Sequence, residues 1–235
     1  MSDSLSFSKL RHQIKHNEVS NHFWDGFEFG AGMLEKYTYY QNDFHNVVEA
    51  DWVLTETQSV TSSIIDAVGG VLRIPNVGDT ENDVVGWQLT GESFIPTVGK
   101  RIWFGARFRA DEATQLDWLV GLSDTDVGLP TRPSDGIYFA KDDGDTNIDF
   151  GVATSSVESA ESTIGTFAAS TYIKVQFRVT GTGLVEYWLN DILQGSITTN
   201  IPATELAISF AHADGDGAGG VDNFDIDYIY CYQER

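Results

Sequence analysis

The chain has 235 residues, 41% of them hydrophobic, with 23 glycines, 5 prolines and a single cysteine. That allows one large core with many turns and few stiff linkers, and it excludes an intrachain disulfide framework. A formal charge of −21 argues against a general grip on nucleic acid, which needs cations to displace counterions from phosphate.

Residues 1–22 stand apart. Lys9, Arg11 and Lys15 outnumber Asp3 and Glu18, so this piece is basic where the remainder is acidic, and it holds His12, His16 and His22. Met1 to Ser8 shows no apolar core of a secretory signal, so synthesis and first folding in a cytoplasm are expected. Phe7, Leu10 and Ile14 have helical spacing within residues 4–17. An extended arm that orders only on a partner is the other reading. Leu5, Phe7, Leu10, Arg11, Ile14 and Lys15 are the candidate docking residues, apolar and basic groups on a segment too short for its own core. His12 and His16 would share a helical face, but nothing completes a metal set around them.

The body, residues 23–235, reads as strands. Residues 23–30, F-W-D-G-F-E-F-G, read as a dense aromatic strand, residues 37–44 as a loop or irregular strand, and residues 52–54 as a short strand. Residues 59–66 and 71–74 flank Gly69-Gly70, a turn signal. Residues 84–90 put Val85, Trp87 and Leu89 on one face. In residues 101–110, Ile102, Phe104, Ala106 and Phe108 oppose Arg101, Trp103, Arg107 and Arg109. Strands follow at 116–123, 136–141 and 148–153, the last two paired across Asp142–Asp145, and residues 154–163 are Ser/Glu-rich and exposed. The clearest unit is Tyr172–Asn190, two alternating runs around Gly181-Thr182-Gly183, which reads as an antiparallel hairpin. Strands at 192–198, 206–212 and 224–232 complete the chain, the last two separated by a Gly/Asp loop, with Cys231 as a small core residue. Roughly twelve to fourteen short strands with frequent turns predict an all-β, two-sheet antiparallel sandwich or jelly roll. No apolar run is long enough for a membrane-spanning helix.

Chemical signatures are sparse. A retaining glycosidase on such a sandwich places carboxylates along one strand face, in an E-x-D-x-x-E run, so that acid and nucleophile flank one bond. Asp225 and Asp227 have the first spacing only, and strand parity puts both on the solvent face. A polysaccharide lyase needs a His or Tyr base beside Arg or Gln clamps, and no such cluster is visible. No enzyme activity is therefore expected. Asp214, Asp216, Gly219, Asp222 and Asp225 partly imitate a calcium loop, but Ala218 stands at the fifth position and the bidentate Glu is missing. Asp142–Asn147 is a second oxygen-rich loop whose residues also serve plain turn needs. No metal or cofactor is assigned. Trp103 and Trp118 are candidates to stack on a sugar, against the alternative that both fill the core.

Phe23–Phe27, Gly69–Ile74, Arg101–Phe108, Asp117–Leu122, the hairpin Val175–Asn190 and Asp225–Tyr230 follow one another in an order that resembles the concanavalin A-like lectin/glucanase sandwich family. Asp111–Asp126 and Asp135–Phe150 resemble virion structural proteins of tailed bacteriophages. That second resemblance implies a capsid decoration or cement protein on the capsid surface, made in a host cytoplasm. Residues 1–22 would pin it to the major capsid protein and to neighbouring copies in a homo-oligomer. The other function class is a carbohydrate-binding adhesin or fibre module for a host surface glycan. No membrane or nucleic-acid partner is expected.

Overall fold

The computed structural model describes residues 23–30, 32–65, 69–76, 81–126, 128–215 and 221–235. Among the described residues, fifteen strands build two antiparallel sheets packed face to face. In the A sheet the order is β13 (Ile192–Ile197), β12 (Leu184–Leu189), β11 (Ile173–Thr180), β6 (Arg101–Ala110), β15 (Asp222–Glu234), β4 (Val71–Asn76) and β3 (Ser63–Ile65). Strand β1 (Tyr37–Asn42) pairs with the C-terminal half of β15, beyond the reach of β4. In the B sheet the order is β10 (Val157–Thr166), β9 (Asn147–Thr154), β8 (Gly136–Lys141), β7 (Leu116–Ser123), β14 (Ala207–Asp214), β5 (Val84–Leu89) and β2 (Trp52–Glu56). The expected all-β sandwich is observed.

Alternation explains the core. Ile102, Phe104, Ala106 and Phe108 point inward from β6 and Trp118, Val120 and Leu122 from β7, all buried in one cluster between the sheets. Phe104 stacks on Phe177 with centroids 4.7 Å apart, and Phe108 meets Trp118 edge-on at 5.0 Å. Each such side chain contributes about 1.5–3 kcal/mol by leaving water.

Three segments depart from the sequence reading. Residues 23–30 are not a strand. They turn at Gly26 (φ 80°) and lay Phe23 and Phe27 against Trp103, Trp188 and Tyr232, which makes a second apolar cluster on the outer face of the A sheet. The reason is that β15 already has β6 on one side and β1 on the other, so the aromatic segment packs on the face instead of joining an edge. Residues 37–42 form a regular strand because β15 offers them a full partner, from Tyr37 opposite Glu234 to Asn42 opposite Ile229. Residues 157–166 form an edge strand, exposed as expected, with its register broken between Glu161 and Gly165.

Strand β15 carries a bulge between Ile226 and Tyr228. An inserted residue flips the parity of everything after it. Asp225 and then Tyr228, Tyr230 and Tyr232 therefore share the outer face, while Phe224, Ile226, Ile229 and Cys231 share the core.

Candidate functional site

The outer face of the A sheet is built in rows. In register across β12, β11, β6, β15 and β1 run Trp188, Gln176, Gly105, Tyr230 and Gln41. The row on one side is Glu186, Arg178, Trp103, Tyr232 and Tyr39, and on the other Lys174, Arg107 and Tyr228. Gly105 sets the relief: a Cβ there would lie 2.5 Å from the Tyr230 ring, so only glycine lets that ring lie over β6. Tyr228 stacks on Tyr230 at 6.1 Å, Tyr39 on Tyr232 at 5.5 Å, and Trp24 on Tyr230 at 5.6 Å.

Beside these rings lies a groove of about 350 Å³, lined by Tyr228, Tyr230 and Tyr232 from β15 and by Gln41, Asn42, Asp43, His45 and Asn46 from β1 and the loop after it. Gln176 Nε2 donates to the Tyr230 hydroxyl at 2.9 Å, and the Tyr232 hydroxyl donates to Gln41 Oε1. Burial pushes all three tyrosine pKa values up, with Arg107 partly opposing this at Tyr228. The hydroxyls therefore stay neutral at ordinary pH. At the rim His45 Nε2 lies 3.4 Å from Asp43 Oδ2. Flat rings beside amide and carboxylate groups suit a ligand that has an apolar face and a polar edge.

Beyond Tyr228 the face becomes cationic. Asp225, with its side chain fully buried, accepts from Arg73 Nε and Nη2 at 2.8 Å each and from Arg109 Nη2 at 2.9 Å. Arg107 pairs with Asp227 at the bulge. The guanidiniums of Arg107 and Arg109 lie 4.1 and 4.9 Å from the centre of the Tyr172 ring. Asp225 and Asp227 do share the outer face, as expected, but they are not free in solvent: their side chains are 0% and 14% exposed, and both are tied to arginines. The Arg and Tyr cluster that the sequence does not display is assembled here, from β4, β6, Tyr172 and β15.

The outer face of the B sheet is different. Gly121, Ala140, Ala211 and Gly86 leave a shallow trough. Leu129, from the loop that joins β7 to β8, packs into it with Leu119, Tyr138, Ala140, Ala153 and Ala211. The loop is pinned by Gln88 Nε2 to the Asp124 carbonyl at 3.0 Å and by Ser134 Oγ to Asp124 Oδ2 at 2.7 Å. Arg132 lies 3.1 Å from Asp142, 3.6 Å from Asp149 and 3.7 Å from Glu158. The Tyr138 hydroxyl donates to Glu158 at 2.5 Å, and burial together with that carboxylate pushes its pKa up.

The candidate docking residues Leu5, Phe7, Leu10, Arg11, Ile14 and Lys15 lie outside the described residues, as do His12 and His16. Trp103 and Trp118 do not reach a ligand, since both are fully buried, Trp103 under Phe27 and Trp118 against Phe108. Asp225 of the calcium-like loop is taken up by its arginines, and residues 216–220 lie outside the described residues. Among the described residues no group of three His, Cys, Asp or Glu side chains could hold a metal ion. The tyrosine groove was missed because residues 37–42 read as irregular and the bulge hid the outward parity of Tyr228, Tyr230 and Tyr232.

No protein-family model and no curated protein matches the sequence. Solved structures do match. A protein of unknown function from Shewanella oneidensis is 14% identical with a TM-score of 0.59, covering 100% of this chain and 96% of that one. The carbohydrate recognition domain of Emp47p is 12% identical with a TM-score of 0.60, covering 87% of this chain and 99% of that one. A β-glucanase of Bacillus licheniformis is 15% identical with a TM-score of 0.62, covering 83% of this chain and 97% of that one. The expectation of no enzyme activity is overturned by this set, in which several of the similar structures are glucanases or glycosidic hydrolases. The missing E-x-D-x-x-E run does not decide the question, because carboxylates can also meet from adjacent strands, as Asp149 of β9 and Glu158 of β10 do around Arg132. The chain has the concanavalin A-like lectin/glucanase sandwich fold.

Proposed function

We propose that the protein is a carbohydrate-binding domain whose glycan lies in the groove of Tyr228, Tyr230 and Tyr232. The observation that carries this reading is the groove itself: tyrosine rings on one wall, and the Gln41, Asn42, Asp43, His45 and Asn46 side chains on the other. Sugar C–H faces pack on rings, and hydroxyls exchange hydrogen bonds with amides and carboxylates. The fold it shares with a carbohydrate recognition domain supports the same reading. The test is isothermal titration with soluble glycans. Tyr228→Ala should weaken binding about tenfold, the equivalent of ~1.4 kcal/mol, without lowering the melting temperature by more than a few degrees. Unchanged affinity would remove the groove from the site.

A second reading is glycan hydrolysis on the B face, favoured by the Asp149 and Glu158 carboxylates that converge on Arg132. Two carboxyl groups on one face are the minimum for acid and nucleophile. Release of reducing ends from a β-glucan, lost in Glu158→Gln, would support it. No release by the unaltered chain would end it.

A setting on a virus particle, with residues 1–22 as anchor, rests on the sequence likeness of Asp111–Asp126 and Asp135–Phe150. Those segments contain β7 and most of the β8–β9 hairpin, whose alternation the sandwich itself requires. Sedimentation of the full-length and arm-deleted chains with particles lacking the protein tests that setting independently of glycan binding.

A further inference from the structure

We infer that the glycan of the tyrosine groove is acidic, and that Arg107, Arg109 and Arg73 bind its carboxylate groups. The inference rests on the groove being a glycan site. The tyrosine wall leads directly to the arginines, because Tyr228 and Arg107 are cross-strand partners and the next paired residues on this face are Asp225 and Arg109, with Arg73 beyond. From Tyr232 to Tyr228 the strand rises about 13 Å at ~3.3 Å per residue, so a ligand that reaches from ring wall to arginines is an oligosaccharide, not a single sugar.

The grouping of three guanidiniums beyond Tyr228 favours an anion there, away from Asp43 on the groove wall. Three guanidiniums stand against two carboxylates in direct contact, Asp225 shared by Arg73 and Arg109 and Asp227 taken by Arg107. Asp111 acts on Arg73 from further away and is itself held by Asn223 Nδ2 at 2.6 Å. These clustered guanidiniums stand in a chain of net charge −21, where most of the surface repels acidic ligands. Among the described residues no acceptor meets Arg73 Nη1, Arg109 Nη1, or the Nε and Nη2 of Arg107. The three side chains remain 32%, 28% and 39% exposed, so these donors are open to a ligand. Asp225 fixes the Arg73 and Arg109 planes, and Tyr172 supports the Arg107 and Arg109 planes, so little order has to be imposed on binding. A uronate carboxylate suits a guanidinium fork, whereas a neutral glucan would leave these donors unused.

The experiment is isothermal titration of the full chain at about 0.15 M salt, where distant charges are screened, against alginate, polygalacturonate and the neutral glucan laminarin. At least one of the two uronate polymers should bind about tenfold more tightly than laminarin, the gain of one charge-assisted contact. Arg107→Gln should remove that preference, Arg107→Lys should restore part of it, and Tyr228→Ala should weaken every glycan bound. Melting curves establish that each variant is folded. Laminarin bound equally or better, or a uronate affinity indifferent to Arg107→Gln in a folded variant, overturns the inference and leaves the glycan reading standing. No binding of any of the three overturns both.

Discussion

On the outer face of the A sheet, Trp103, Tyr228, Tyr230 and Tyr232 rise from the strands, and Arg73, Arg107 and Arg109 gather around Asp225 and Asp227. On the outer face of the B sheet the corresponding rows are Gly86, Gly121, Ala140 and Ala211, and a loop fills the hollow with Leu129. Two faces of one sandwich thus reach opposite ends by side-chain size. Large rings with polar tips cover part of a sheet and leave a groove beside themselves. Small residues leave a trough that the chain closes over itself. Cations follow the same division: Arg101, Arg107, Arg109, Lys174 and Arg178 stand on the outer strand positions of the A sheet, whereas Arg132 alone, among the described residues, meets the carboxylates of the B face.

The largest expected break in this contrast is Asp225→Ala. It leaves Arg73 and Arg109 without their shared counter-charge. Removing one partner of a buried ion set costs about 3–5 kcal/mol, and the lower end applies because both arginines keep some contact with water. Urea denaturation should show that loss, while Asp227→Ala, at the more open pair, should cost far less.

A smaller effect concerns what lies between the faces. His212 on β14 is fully buried against Phe224, and neither ring nitrogen has a partner among the described residues. Burial pulls its pKa down to about 3 from 6.5. The folded chain therefore refuses a proton that the unfolded chain accepts. The resulting stability is complete above about pH 6.5 and is lost as pH falls toward about 3. His212→Leu should raise stability at neutral pH by about 1–2 kcal/mol, since it removes an unsatisfied polar group, and should flatten the acid limb of a melting-temperature profile.

Smallest is Arg132→Gln. Its partner carboxylates are partly or largely exposed, so the cost to global stability should stay below about 1 kcal/mol. Hydrogen exchange should nonetheless quicken in residues 128–135, because the arginine ties that loop to β9 and β10. Unchanged exchange would mean that Leu129 and the Gln88 contacts hold the loop alone.

The sequence disclosed the sandwich because alternation in residues 101–110, 116–123 and 173–189 is strict and each run is bounded by turn residues. It disclosed less of the site. Parity alone placed Trp103 opposite Phe104, yet only the fold shows that residues 23–30 cover it. The bulge left a trace in Phe224–Tyr232: strict alternation would set Ile229 and Cys231 on the face of Asp225, an apolar and an ionic set together. That conflict signals an inserted residue. The Arg73–Asp225 pair, 152 residues apart, carries no local mark, and neither does the meeting of Asp149 with Glu158 through a side chain on a loop.

The most direct test of the account is glycan titration of two single variants on opposite faces, Tyr228→Ala on the A face and Tyr138→Phe on the B face. A glycan-binding A face predicts that Tyr228→Ala weakens binding about tenfold and that Tyr138→Phe leaves it unchanged. Binding abolished by Tyr138→Phe and indifferent to Tyr228→Ala would contradict the account and move the ligand to the B sheet.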